Sequence, residues 1–188
     1  EATAILAGDA LQCWAFELVS SPDNINDPLK ISKIVFLLSR ALGYNGMVGG
    51  QQGDIDFVSE ELSEDDILWV QQKKTGKLIE CCVLLATIIA QATEKQILNL
   101  KNYAYYLGIA FQIKDDLLDI NSNSKILGKP IKQDKFNNSP NFVNLYGEIN
   151  SKKKLREFNE KAIESLNIFG NYANNLVLLA KYITNRDF

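Results

Sequence analysis

Phe111-Gln112-Ile113-Lys114-Asp115-Asp116-Leu117-Leu118-Asp119 decides how this chain is read. The segment lies in a long apolar run with helical spacing, and its three carboxylates stand at positions i, i+1 and i+4. At about 100° per residue, Gln112, Asp115, Asp116 and Asp119 share an arc of roughly 100°, while Ile113, Leu117 and Ile120 point away from it. Like charges this close raise one another's pKa unless a cation shares them. A hard divalent ion suits such a face, because Mg²⁺ favours carboxylate oxygen, keeps several waters and completes its shell with substrate phosphates. The same spacing also suits acids on a solvated face or near a helix C-terminus, although acid there opposes the helix dipole.

The chain of 188 residues is long enough for one sizeable core, and we read residues 1–188 as a single helical domain. It is 46% hydrophobic and 23% charged, an ordinary globular composition. Four prolines and few strand-type alternations point to helices. A net charge of −3 gives no general attraction to nucleic acid or anionic lipid. With no histidine and only Cys13, Cys81 and Cys82, all in apolar runs, there is no Cys/His zinc set, and a reduced cytoplasmic setting is expected. Cys81 to Ala90, read as the longest apolar stretch, is too short to span a bilayer, so no membrane insertion is expected. Residue 1 is Glu and the only methionine is Met47, so we expect residue 1 not to be a translational start.

In chain order, Thr3 to Ser20 reads as an amphipathic or buried helix, with Asp9 either paired in the core or lining a cavity. Ile31 to Leu42 reads as a second helix stopped by Gly43. Gly46 to Asp56 holds four glycines that mark a loop, permit close helix packing or let backbone approach a ligand. Ser63 caps a long helix running to about Ala92. Within it, Lys73-Lys74-Thr75-Gly76-Lys77 is a cationic patch or a solvated face, and the mid-helix Gly76 hints at a kink or a close contact. Thr93 to Gln96 has the capping-box pattern and opens the helix that carries the acids to Asp119. Residues 121–151 read as a mobile basic loop, and Leu155 to Ile183 as helix with Leu166, Phe169, Ala173, Leu176 and Ala180 in the core.

With these stretches in order, the chain resembles the trans-isoprenyl diphosphate synthases, in particular the bacterial farnesyl diphosphate synthases. The resemblance runs through Glu1 to Leu11, Gly46 to Asp56, Lys74-Thr75-Gly76, Phe111 to Asp119, Leu127-Gly128-Lys129 and the Tyr182-Ile183 tail. It implies an all-α bundle around a central cavity, usually homodimeric. The implied chemistry is Mg²⁺-dependent head-to-tail condensation of an allylic diphosphate with isopentenyl diphosphate. Position by position, Asp115, Asp116 and Asp119 match a metal-binding aspartate motif, with Asp115 as the direct ligand. Lys74 and Lys129 match lysines that hold the leaving diphosphate, and Thr75 and Gln112 match residues beside the allylic cation. Phe111 belongs to the substrate-binding set.

Departures from the family pattern are as specific. The family's first aspartate-rich motif, its neighbouring arginines and its isopentenyl-binding residues belong upstream of Glu1. After Asp134 the pattern has a lysine and then Thr-Tyr-Pro, where this chain has Ser139, Asn141, Phe142 and Val143. The 188 residues alone are therefore expected to be inactive, and a non-catalytic partner subunit or degenerate relative that keeps the fold is the alternative reading.

Overall fold

The structure is a computed structural model that describes residues 1–57, 63–127 (backbone only from 121) and 141–186. Its helices are α1 (Ala2–Ser20), α2 (Pro28–Leu42), α3 (Met47–Asp56), α4 (Glu64–Gln71), α5 (Lys77–Ile89), α6 (Glu94–Leu127), α7 (Phe142–Glu164) and α8 (Asn174–Asn185). A π-turn (Gln72–Gly76) joins α4 to α5, and a 3₁₀ segment (Asn167–Ala173) precedes α8. No strand occurs among the described residues.

Helix α6 is the centre of the fold. Its Ile109, Ala110, Ile113 and Leu117 bury against Ile67 of α4 and Phe142, Val143 and Leu155 of α7. One turn round, its Tyr103 and Leu107 bury with Ala162, Leu166, Ala173, Ala180 and Ile183. The Tyr103 hydroxyl donates to the Leu176 carbonyl at 2.9 Å, so this buried phenol has its partner. The core residues expected in the last third of the chain are where the spacing put them.

Local signals set the helix starts. Asp27 caps α2 by accepting from the Leu29 and Lys30 amides at 3.0 and 3.2 Å, and Pro28 supplies a fixed φ at the first helical position. Ser63 and Asp66 form a reciprocal capping box on α4. Thr93 and Gln96 do the same for α6, with Thr93 N–H donating to Gln96 Oε1 at 2.9 Å and Gln96 N–H donating to Thr93 Oγ1 at 3.4 Å.

Four expectations are corrected. Helix α1 forms, but none of its residues is buried, and Asp9 is exposed and neither paired in the core nor lining a cavity. Only its last turns pack, with Ala15, Phe16 and Val19 against Leu38, Ala41 and Leu42 of α2 and Cys81 of α5. With 19 residues and a mean hydropathy of 1.2, α1, and not Cys81 to Ala90, meets the length and composition of a bilayer span; Asp9 near its middle disfavours insertion. Within the expected 121–151 loop, α6 continues to Leu127 and α7 starts at Phe142, and residues 128–140 lie outside the described ones. The start of α7 escapes a periodicity search because Gly147 breaks the phase with φ 74°, a conformation that glycine adopts without strain. Finally, the spacing from 155 to 183 is interrupted by the 3₁₀ segment.

The glycines of Gly46 to Asp56 serve close packing inside a helix. A Cβ built on Gly50 would lie 2.2 Å from the Lys74 amide nitrogen, and one on Gly53 would lie 2.6 Å from the Trp69 ring. On the other side of the π-turn, a Cβ on Gly108 of α6 would stand 3.2 Å from Gly76 Cα. The π-turn is thus wedged between α3 and α6 by backbone contacts that side chains would prevent. Gly50→Ala is expected to lower unfolding stability by about 2 kcal/mol, as overpacking does, measured by urea denaturation; an unchanged midpoint would refute the close approach.

Candidate active site

Three elements meet at the acid face of α6. The π-turn presents Lys74 and Thr75, α6 presents Phe111, Gln112, Asp115, Asp116 and Asp119, and the end of α8 brings in Arg186. A π-turn widens the helix by one residue, and such bulges are frequent at functional sites.

Hydrogen bonds join these groups into one chain. Thr75 Oγ1 donates to Gln112 Oε1 at 3.0 Å, and Gln112 Nε2 donates to Asp116 Oδ1 at 3.3 Å. The other oxygen of Asp116 accepts the Phe142 amide at 2.9 Å, and the buried Ser151 hydroxyl donates to the Phe142 carbonyl at 3.1 Å. Asp116 is buried, and both its oxygens are turned into the protein. Desolvation pushes its carboxyl up to about 6, against the lowering effect of the Phe142 and Gln112 bonds, with Asp115 and Asp119 adding repulsion.

Asp115 occupies the other edge of the face. It pairs with the Arg186 guanidinium, which lies 4.4 Å over the Phe111 ring. Desolvation raises the Asp115 carboxyl above its usual range, Arg186 opposes the rise and the charge of Asp119 adds to it. Lys74 Nζ sits 2.7 Å from Asp54 of α3. Lys73 stacks at 4.7 Å over Trp69. Asp119 is exposed. Lys129 and Ser139 lie outside the described residues.

The structure therefore brings together Lys74, Thr75, Phe111, Gln112, Asp115 and Asp116. Two partners were missed, Asp54 and Arg186. Asp54 lay in plain view after Gly53, but an ion pair across 20 residues leaves no periodic trace. Arg186 follows a helix whose sequence gave no sign of where it ends in space.

Among the described residues no three acidic or cysteine side chains gather closely enough to enclose a metal ion. A caged site is not what Mg²⁺ requires, since it takes one or two carboxylates and fills the rest with water and phosphate. Asp115 fits that demand because a cation, Arg186, already stands on it.

Comparison with known proteins places the chain in a family. Residues 1–168 match the polyprenyl synthetase family, and the chain belongs to that family. It is 35% identical to the farnesyl diphosphate synthase of Micrococcus luteus over 100% of this chain and 64% of the relative. It is also 35% identical to the farnesyl diphosphate synthase of Geobacillus stearothermophilus, over 82% of this chain and 52% of the relative. The structure superimposes with a TM-score of 0.82 and 33% identity on an FPP/GFPP synthase from Zymomonas mobilis, covering 97% of this chain and 61% of that one. A geranyltransferase from Legionella pneumophila gives 0.79 and 29%, covering 100% and 61%. The chain thus spans between about half and two thirds of the length of these relatives.

The buried Asp116 sets a pH dependence. Its pKa rises from 3.8 to about 6 on folding, so between those values the folded state keeps a proton that the unfolded state has released. Stability therefore falls as pH climbs through that window and levels off above it, by about 3 kcal/mol for a shift of this size. In chelator-containing buffer, urea midpoints of wild type and Asp116→Asn should diverge in this way from about pH 4 to 6. Parallel curves would show that Asp116 is not desolvated.

Proposed function

We propose that the protein is a Mg²⁺-dependent prenyltransferase that condenses an allylic diphosphate, dimethylallyl or geranyl, with isopentenyl diphosphate to give a short-chain prenyl diphosphate such as farnesyl diphosphate. The observation that carries this reading is the junction at Thr75 and Gln112, where a cationic turn and an acidic helix face are held together by a 3.0 Å hydrogen bond. Positive and negative groups side by side, with neutral oxygen dipoles between them, suit a substrate with a diphosphate at one end and a developing carbocation next to it.

In this reading the C1–O bond of the allylic substrate breaks and diphosphate leaves with the bonding electrons. The double bond of isopentenyl diphosphate attacks C1, the new 1′-4 carbon–carbon bond forms, and the resulting cation loses a proton to restore an alkene. Lys74 and Lys129 hold the leaving diphosphate. Thr75 Oγ1 and the Gln112 amide oxygen turn the negative ends of their dipoles towards the allylic cation. Phe111 supplies an apolar wall. Asp115 and Asp119 would hold Mg²⁺, which when bound neutralises charge on the leaving group. Arg186, which pairs with Asp115, would give way to Mg²⁺ there, and Lys74, which pairs with Asp54, would turn to phosphate oxygen.

Homodimeric assembly belongs to the same reading. The exposed Ile5, Leu6, Leu11, Trp14 and Leu18 of α1 are compatible with an assembly surface, and light scattering at twice the chain mass checks it.

In the full-length protein, Asp115→Asn is expected to reduce kcat about a hundredfold and to raise the Mg²⁺ half-saturation. Lys74→Ala is expected to raise KM for the allylic diphosphate. The 188-residue chain alone should give no turnover. Assay of labelled isopentenyl diphosphate incorporation decides each, and full activity of Asp115→Asn would remove the metal role from this face.

A further inference from the structure

The hydrogen-bond chain from Thr75 to Phe142 has a direction, and one group fixes it. An ionised carboxylate only accepts hydrogen bonds. Asp116 takes the Phe142 amide on one oxygen and Gln112 on the other, so Gln112 can present only its Nε2 to that side. Its Oε1 is left facing Thr75 at 3.0 Å. An amide oxygen has no proton to give, so the Thr75 hydroxyl must donate. Without Asp116 the Gln112 amide could sit either way round in the same space, and the Thr75 proton could point either way.

We propose that Asp116 is a positioning residue that sets the polarity of the Gln112–Thr75 pair, so that Thr75 Oγ1 presents lone pairs and not a proton to an electron-poor group held beside it. The identity of that group rests on the function proposed above; the polarity itself does not. The burial of Asp116 follows from this role, since a carboxylate bound at both oxygens from within has little left to offer an ion outside. Two roles separate on the motif. Asp115, paired with Arg186, faces the cationic partner. Asp116 faces inwards and orients the neutral dipoles. Phe142, whose amide donates to Asp116 and whose carbonyl accepts from Ser151, makes the start of α7 the anchor of the chain.

The test is a swap of the charge along the chain. In Asp116→Asn, the oxygen of the introduced amide still accepts from Phe142, but its nitrogen now donates to Gln112. The Gln112 amide turns over, its Nε2 faces Thr75, and the Thr75 hydroxyl becomes an acceptor with its proton turned outwards. Adding Gln112→Glu restores the first polarity, because a carboxylate at position 112 accepts both from Thr75 and from the amide introduced at position 116. In the full-length protein we expect Asp116→Asn to lower kcat about a hundredfold while leaving the Mg²⁺ half-saturation within about twofold of wild type. The double variant should recover at least about a tenth of wild-type kcat.

An increase of about tenfold or more in Mg²⁺ half-saturation for Asp116→Asn would make Asp116 a metal ligand and overturn the proposal. A double variant no more active than Asp116→Asn would overturn it too. Thermal unfolding of the same proteins separates this from the fate of the proposed function. With Gln112→Glu alone as a further variant, polarity control requires the double variant to be more stable than the two single changes added together predict, whether or not any protein condenses prenyl diphosphates. Additive changes would reject it even in an active enzyme.

Discussion

A single desolvated carboxylate ties the middle of α6 to the first residue of α7. Asp116 leaves α6 on the side that faces the protein, and its oxygens accept an amide at the first residue of α7 and the side chain of Gln112. Burying a charge is costly unless hydrogen bonds replace its water, and desolvation is the largest cause of the raised pKa of Asp116. That remaining cost is tolerated because the start of α7 needs fixing: the next turn is broken at Gly147. With the α7 amide seated on Asp116, Phe142 and Val143 bury against Ile109, Ile113 and Leu117.

Further up the same row of α6 the constraint is steric. The π-turn sits against the helix because Gly76 meets Gly108, and against α3 because Gly50 leaves room for the Lys74 backbone. Close backbone approach is what puts a short side chain such as Thr75 within reach of Gln112. A longer residue could bridge a wider gap, but with more rotamer freedom and a less certain direction. The glycines and the short hydroxyl residue are therefore one design.

Most of the helical order was legible because it is written in local chemistry. Ser63 with Asp66, Thr93 with Gln96 and Gly43 each act within four residues, and the apolar spacing of α2, α6 and α8 names their buried faces. What stayed hidden was either phase-breaking or distant. Gly147 and Gly170 reset the helical register inside runs that are otherwise periodic, so residues 142–151 read as loop and 166–173 as helix. Gly46 to Asp56 carries the composition of a loop, yet forms a helix whose small residues are there for its neighbours. Asp54 and Arg186 were invisible as site residues because their partners, Lys74 and Asp115, lie 20 and 71 positions away. The exposure of α1 was equally illegible, since periodicity shows which face is apolar but not whether anything covers it.

The acidic motif itself held more than its charge count suggested. Residues four apart on a helix lie nearly in line, whereas adjacent ones diverge by about 100°. Gln112 and Asp116 therefore form one row, and Asp115 and Asp119 another. The structure uses the rows differently: the first is turned inwards and bonded to Thr75 and Phe142, while in the second Arg186 offsets the repulsion that Asp119 exerts on Asp115. Three equivalent aspartates on one face would each need a cation. Two rows need a cation for only one of them, since backbone and amide donors satisfy the other. The motif reads best as a pair of i, i+4 couples, one electrostatic and one made of hydrogen bonds, and the second couple fixes the groups that the first could not orient.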